Sequence, residues 1–197
     1  MQILLLLIIT YWSSPSTTSE AFEVKTWKID SGSVIEISGS TNISSFRCES
    51  KEYQGGDILT ETYFPSRDMS EWSGEITLKT VNFDCFNALM TIDFRETLQM
   101  EKHPTIGVRF LKMTKESENI NQENLRGEVE ITLAGVSKIY PISCVFLAKN
   151  GEKALLTGER KLAFTDFEID PPVKLLGTIK VRDSIEVSFG LVLEKLM

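Results

Sequence analysis

Ser184-Ile185-Glu186-Val187-Ser188-Phe189-Gly190-Leu191-Val192-Leu193 carries an apolar side chain at every second position. Successive side chains of a strand point to opposite faces, so Ile185, Val187, Phe189, Leu191 and Leu193 share one face. The segment is predicted to be a strand with one side on a core. The same alternation runs back through the chain. It places Tyr140, Ile142, Cys144 and Phe146 on one face of 138–148, Val129, Ile131 and Leu133 on one face of 127–133, and Ile106, Val108 and Phe110 on one face of 105–113. Leu162 and Phe164 belong to a strand over 155–164. Earlier, Gly74-Glu75-Ile76-Thr77-Leu78-Lys79 turns Ile76 and Leu78 inward. Ser33-Val34-Ile35-Glu36-Ile37-Ser38 and Ser44-Ser45-Phe46-Arg47-Cys48-Glu49 flank the turn signal Gly39-Ser40-Thr41-Asn42. Asn150-Gly151 marks a hairpin, and the polar stretch 114–124 reads as a solvated loop.

One segment keeps a different period. Leu89, Met90, Ile92, Phe94 and Leu98 recur at three- and four-residue intervals, which predicts an amphipathic helix at 86–100 with Asp84 as N-cap and Pro104 beyond its end. About eight strands and one helix predict an all-β protein, an eight-stranded antiparallel lipocalin-like barrel with one amphipathic helix, because closure removes the edges an open sheet would expose. The interior of such a barrel is filled by side chains or holds one small ligand.

Composition narrows the function. The 197 residues are 42% hydrophobic and 25% charged, as in a globular domain, and carry 28 acidic against 21 basic residues for a net charge of −7. No Lys/Arg cluster is present to displace counterions from phosphates, so nucleic acid is not an expected partner. One histidine and three cysteines, at spacings that match no common metal motif, give no expected metal site. His103 sits before Pro104 with no nucleophile nearby in sequence. Asp166 and Asp170 stand in Thr-Asp-Phe and Asp-Pro-Pro settings that suit turn caps better than acid/base pairs, and no catalytic residue is expected.

The N-terminus reads as an address. Residues 3–9, ILLLLII, are too few to cross a bilayer core, which needs about 20 residues, and they suit the apolar region of a signal peptide. Ser19-Glu20-Ala21 places small residues for cleavage before Phe22, although no Lys or Arg precedes the apolar run. The expected division is a signal peptide at 1–21 and one barrel domain at 22–197, in the periplasm or secreted. Disulfides persist in such a compartment.

The order of several motifs resembles the YceI-like family. They are Trp27-Lys28-Ile29-Asp30, the 33–42 segment, Phe83-Asp84-Cys85, His103-Pro104-Thr105-Ile106, Thr165-Asp166-Phe167-Glu168-Ile169-Asp170-Pro171-Pro172 and Leu176-Gly177-Thr178-Ile179-Lys180-Val181. The short Ser-Thr-Asn turn is similar to that of Bacteroidetes-type members. The resemblance implies an exported lipocalin-like barrel that binds an isoprenoid lipid or quinone and is not an enzyme, with no cofactor beyond that lipid.

Strand-facing positions then give the expected apolar lining as Phe46, Ile76, Leu78, Val108, Phe110, Val129, Ile131, Leu162, Phe164 and Phe189, joined by Met90 and Phe94 from the helix. Helix 86–100 and the loop around Pro171-Pro172 are the expected rim, and transient membrane contact is a further expected interaction. The alternative is a filled barrel that binds a partner protein; oligomeric state is left open. Three cysteines allow three pairings. Cys48 and Cys85 each follow an aromatic by two residues, and their bridge is the pairing preferred, with Cys144 a small buried hydrophobe. A redox-active pair is the other reading, without a Cys-x-x-Cys motif to support it.

Overall fold

The structure is a computed structural model that describes residues 21–51, 53–67, 69–119, 122–149 and 151–196. The apolar run at 3–9 and the polar stretch to residue 20 lie outside the described residues, as does Asn150 of the hairpin signal. The first strands are β1 (Glu23–Ile29), β2 (Val34–Thr41), β3 (Ser45–Ser50), β4 (Ile58–Phe64), β5 (Met69–Lys79) and β6 (Phe83–Asp84). After helix α1 (Ala88–Thr97) come β7 (Thr105–Asn119), β8 (Gln122–Leu133), β9 (Val136–Ala148), β10 (Lys153–Ala163), β11 (Val173–Lys174) and β12 (Ile179–Leu196).

Eight of these strands close a ring in the order β1, β4, β5, β7, β8, β9, β10, β12, with β12 returning to β1, and every pairing is antiparallel. The long strand β12 makes this possible. Its last residues pair with β1, from Ile29↔Leu193 to Thr26↔Leu196, while its middle pairs with β2, from Val34↔Gly190 to Gly39↔Ile185. β1 and β2 thus form one bent edge along β12, and β3 and β6 extend the sheet beyond β2.

Two ring members, β1 and β4, are strands that the alternation predicts only in part or not at all. β4 reads Ile58-Leu59-Thr60-Glu61-Thr62-Tyr63-Phe64, and Glu61 at a buried position hides its period. The expected loop at 114–124 is instead the extension of β7 and β8, whose ladder continues through Lys115↔Leu125 to Asn119↔Gln122. Polar residues pair there because the ladder uses backbone groups only.

The helix is shorter than expected, and Asn87 rather than Asp84 caps it. Asn87 Oδ1 accepts from the Leu89 and Met90 amides at 3.0 and 3.1 Å. Asp84 serves the preceding turn. It accepts from the Phe86 amide at 2.8 Å and from Lys51 Nζ at 2.6 Å. The apolar residues of α1 divide between two faces. Leu98 is buried and Met90 and Phe94 pack on the core, but Leu89 and Ile92 are 74% and 50% exposed. The helix is therefore not simply amphipathic toward the barrel. A disulfide joins Cys48 of β3 to Cys85, just before α1, and Lys174 Nζ meets Asp93 Oδ1 at 2.6 Å, so the helix is fastened to the wall on two sides.

Candidate functional site

The inward faces of the ring differ between its two ends. At the β1 end the interior is solid. Trp27 and Trp72 stack with centroids 6.3 Å apart, and Phe146 meets them at 5.5 and 5.2 Å. Leu59, Met113, Leu125, Leu156 and Leu193 lie on the strands around them and are essentially without solvent contact. Buried Glu61 is satisfied there by Trp27 Nε1 at 3.2 Å, Ser70 Oγ at 3.1 Å and Lys25 Nζ at 3.4 Å. Cys144 belongs to this end. Its thiol lies 3.9 Å from Met113 Sδ, and burial pushes its pKa up to about 12.

At the β2 end the same ring is hollow. A cavity of about 80 Å³ lies between Ile35 and Ile37 of β2, Ile76 and Leu78 of β5, Ile106, Val108 and Phe110 of β7, Val129, Ile131 and Leu133 of β8, Ile142 of β9, Leu162 of β10, and Ile185, Val187, Phe189 and Leu191 of β12. Phe83 closes it from the β6 side. Alternation accounts for this wall, since each strand contributes every second residue. Val108, Val187 and Phe189 line this space and are only half-buried.

Eight of the twelve residues expected to line the interior stand on this cavity: Ile76, Leu78, Val108, Phe110, Val129, Ile131, Leu162 and Phe189. Four do not. Phe94 packs against the outer side of Phe83, with ring centroids 5.4 Å apart, and Met90 sits beside it on the helix, so α1 backs the wall without entering it. Phe46 is half-buried over Gly39, and Phe164 lies past the end of β10 in a 3₁₀ turn, Phe164–Phe167.

Ten cavity residues are absent from the expected twelve; nine are apolar and the tenth is Arg160. Arg160 occupies an inward position of β10, in step with Ala154, Leu156, Gly158 and Leu162, and is the charged member of an otherwise aliphatic and aromatic lining. The period that selected Leu162 also selects Arg160. A search for apolar residues alone does not find it. Its guanidinium lies over the Tyr140 ring at 5.5 Å, and Tyr140 in turn donates to Asp166 Oδ2 at 2.6 Å. Burial and that hydrogen bond raise the Tyr140 phenol above its ordinary pKa. Asp166 is thus committed to a turn contact, and His103 packs beside Gly135 away from the cavity. Among the described residues no group of three or more His, Cys, Asp or Glu is placed to hold a metal ion.

The wall has a seam beside Arg160. The β9–β10 ladder runs from Ala148↔Ala154 to Cys144↔Gly158 and stops, after which β9 pairs only with β8 and β10 only with β12. An outer groove lies over this seam, bordered by Pro141, Ser143, Thr157 and Gly158. Ile142, Arg160 and Phe189 line both the groove and the cavity, so the partition between them is one side chain thick.

No protein-family model matches the sequence, and neither does any curated protein. Solved structures do resemble the fold. BcnA of Burkholderia cenocepacia is similar with a TM-score of 0.59 at 14% identity, over 81% of this chain and 95% of that one. A polyisoprenoid binding domain from Saccharophagus degradans, described as implicated in plant cell wall breakdown, gives a TM-score of 0.59 at 9% identity, over 87% and 99% of the two chains. A Campylobacter jejuni YceI protein aligns over 98% of this chain and 94% of its own at 13% identity, with a TM-score of 0.45. At these identities the likeness is one of fold: this chain is a closed antiparallel barrel of the kind on which a polyisoprenoid binding domain is built.

Proposed function

We propose that this chain is a lipid-binding protein of YceI-like type, of the Bacteroidetes-type variant, which sequesters or carries a long isoprenoid-type lipid or quinone and catalyses no reaction. The observation that carries this reading is the cavity itself, bounded almost wholly by aliphatic and aromatic groups within a closed barrel. Each methylene transferred from water to such a lining gains about 0.8 kcal/mol, so a polyprenyl chain needs length and girth more than polar contacts. The space is smaller than the cargo. An apolar cavity of about 150 Å³ accommodates one benzene, so a chain enters only as lining groups move outward. Phe189, half-buried and lining both cavity and groove, is the group placed to do so.

Export to the periplasm or beyond is part of the proposal. The Cys48–Cys85 bridge suits an oxidising compartment, and residues 1–21 are read as the cleaved signal peptide. Organic extraction and native mass spectrometry of protein purified from its own host test the function. A stoichiometric lipid with a long apolar chain is the expected result. Protein that is repeatedly empty overturns it in favour of the second reading, a filled barrel that docks a partner protein, for which the exposed Leu89, Ile92, Leu175 and Leu176 on α1 and the loop after β11 speak.

A further inference from the structure

We propose that the β9–β10 seam is the entry to the cavity and that Arg160 there receives the anionic head group, carboxylate or phosphate, of a single-chain amphiphile whose tail lies inside. This rests on the lipid-binding reading and specifies the ligand class it admits. Three observations converge on the seam. The backbone ladder ends at Cys144↔Gly158, so opening it below that point disrupts no β9–β10 ladder pairing. Ile142, Arg160 and Phe189 line both cavity and groove, and Phe189 lies across Gly158 so closely that a Cβ there would stand 2.6 Å from its Cζ. The Arg160 Nε is buried and meets no acceptor among the described residues, and no described carboxylate forms an ion pair with the guanidinium.

A buried donor without an acceptor is costly, and an oxyanion at the seam would satisfy it while the planar fork held two oxygens. The neighbouring charges are otherwise engaged or point outward. Arg126 in the groove pairs with Glu116 at 2.9 Å, Lys161 pairs with Glu186 at 3.8 Å, Asp166 accepts from Tyr140, and Glu159 is exposed. Against a chain of net charge −7, Arg160 is the cation placed where an apolar tail and an anionic head can be held together.

Calorimetric titration of the purified, lipid-stripped chain with decanoate, decyl phosphate and decanol, each below its micelle concentration, tests this. At least one acid should bind about tenfold tighter than the alcohol, and the better of the two identifies the head group. Arg160→Gln should abolish that preference, with the acids losing about tenfold more affinity than decanol does. Rising salt should shrink the preference in the unmutated protein, a readout that needs no variant. Equal binding of alcohol and acids overturns the head-group proposal and leaves the cavity reading standing. Equal loss of all three in Arg160→Gln overturns it too, since it marks a structural role. Failure of the unmutated chain to bind any of them overturns the cavity reading itself.

Discussion

The two ends of one ring are built from the same strands, yet one is plugged and the other hollow. β5 contributes Trp72 to the first and Ile76 and Leu78 to the second; β10 contributes Leu156 to the first and Arg160 and Leu162 to the second. The difference is one of side-chain volume. Two indoles and a phenyl ring occupy the β1 end, whereas the β2 end is walled mainly by Ile, Val and Leu, which do not reach across. Closure of the barrel thus leaves stability and storage to separate stretches of the same wall.

The contrast breaks most directly if truncation costs the same at both ends. Leu156→Ala, in the plug, is expected to lower stability by about 4 kcal/mol, and Leu162→Ala by about 2, because one side of Leu162 already faces a void and fewer contacts are lost. Urea unfolding of both variants measures the gap; equal costs would mean that the cavity is closed in solution. Removing the disulfide with Cys48→Ser should cost about 3–4 kcal/mol in the chain-entropy model, and hydrogen exchange should locate the loosening at β3 and α1 rather than around Trp72. Gly158→Ala forces Phe189 from its seat and should cost about 2 kcal/mol by thermal melt while speeding ligand uptake through the seam. Cys144 sharpens the comparison from the plugged side. With its thiol pKa at about 12, it should resist iodoacetamide at pH 8 until the chain unfolds.

The smallest effects are those of pH at the hollow end. The Asp84 carboxyl is held below its ordinary 3.8, chiefly by the hydrogen bond from Lys51 and then by the Phe86 amide. Its stabilisation is complete above that ordinary value and is lost as pH falls through the folded-state one. The Lys174 ammonium is held above 10.5, chiefly by its bond to Asp93, so its share is present below that value and is lost as pH rises through the higher folded one. Exchange of α1 amides should therefore quicken at acid and alkaline extremes before those of β8.

Alternation made most of the ring legible, because a period of two survives wherever the inward residues are apolar. It failed where an inward residue was charged. Glu61 concealed β4 and Arg160 was passed over on β10, although each keeps its strand's phase. On α1, Leu89 and Ile92 satisfied the same three- and four-residue spacing as Met90, Phe94 and Leu98, and spacing alone did not assign the second set to the barrel and the first to solvent. The hollow was not legible at all. Void depends on how far Trp27 and Trp72 reach, which no period encodes.

The stacked indoles carry a practical corollary. Among the described residues, tryptophan occurs only at positions 27 and 72, and neither lines the aliphatic chamber. Their intrinsic emission will report denaturation faithfully and stay nearly mute to cargo, so occupancy is better followed by heat or by mass than by light.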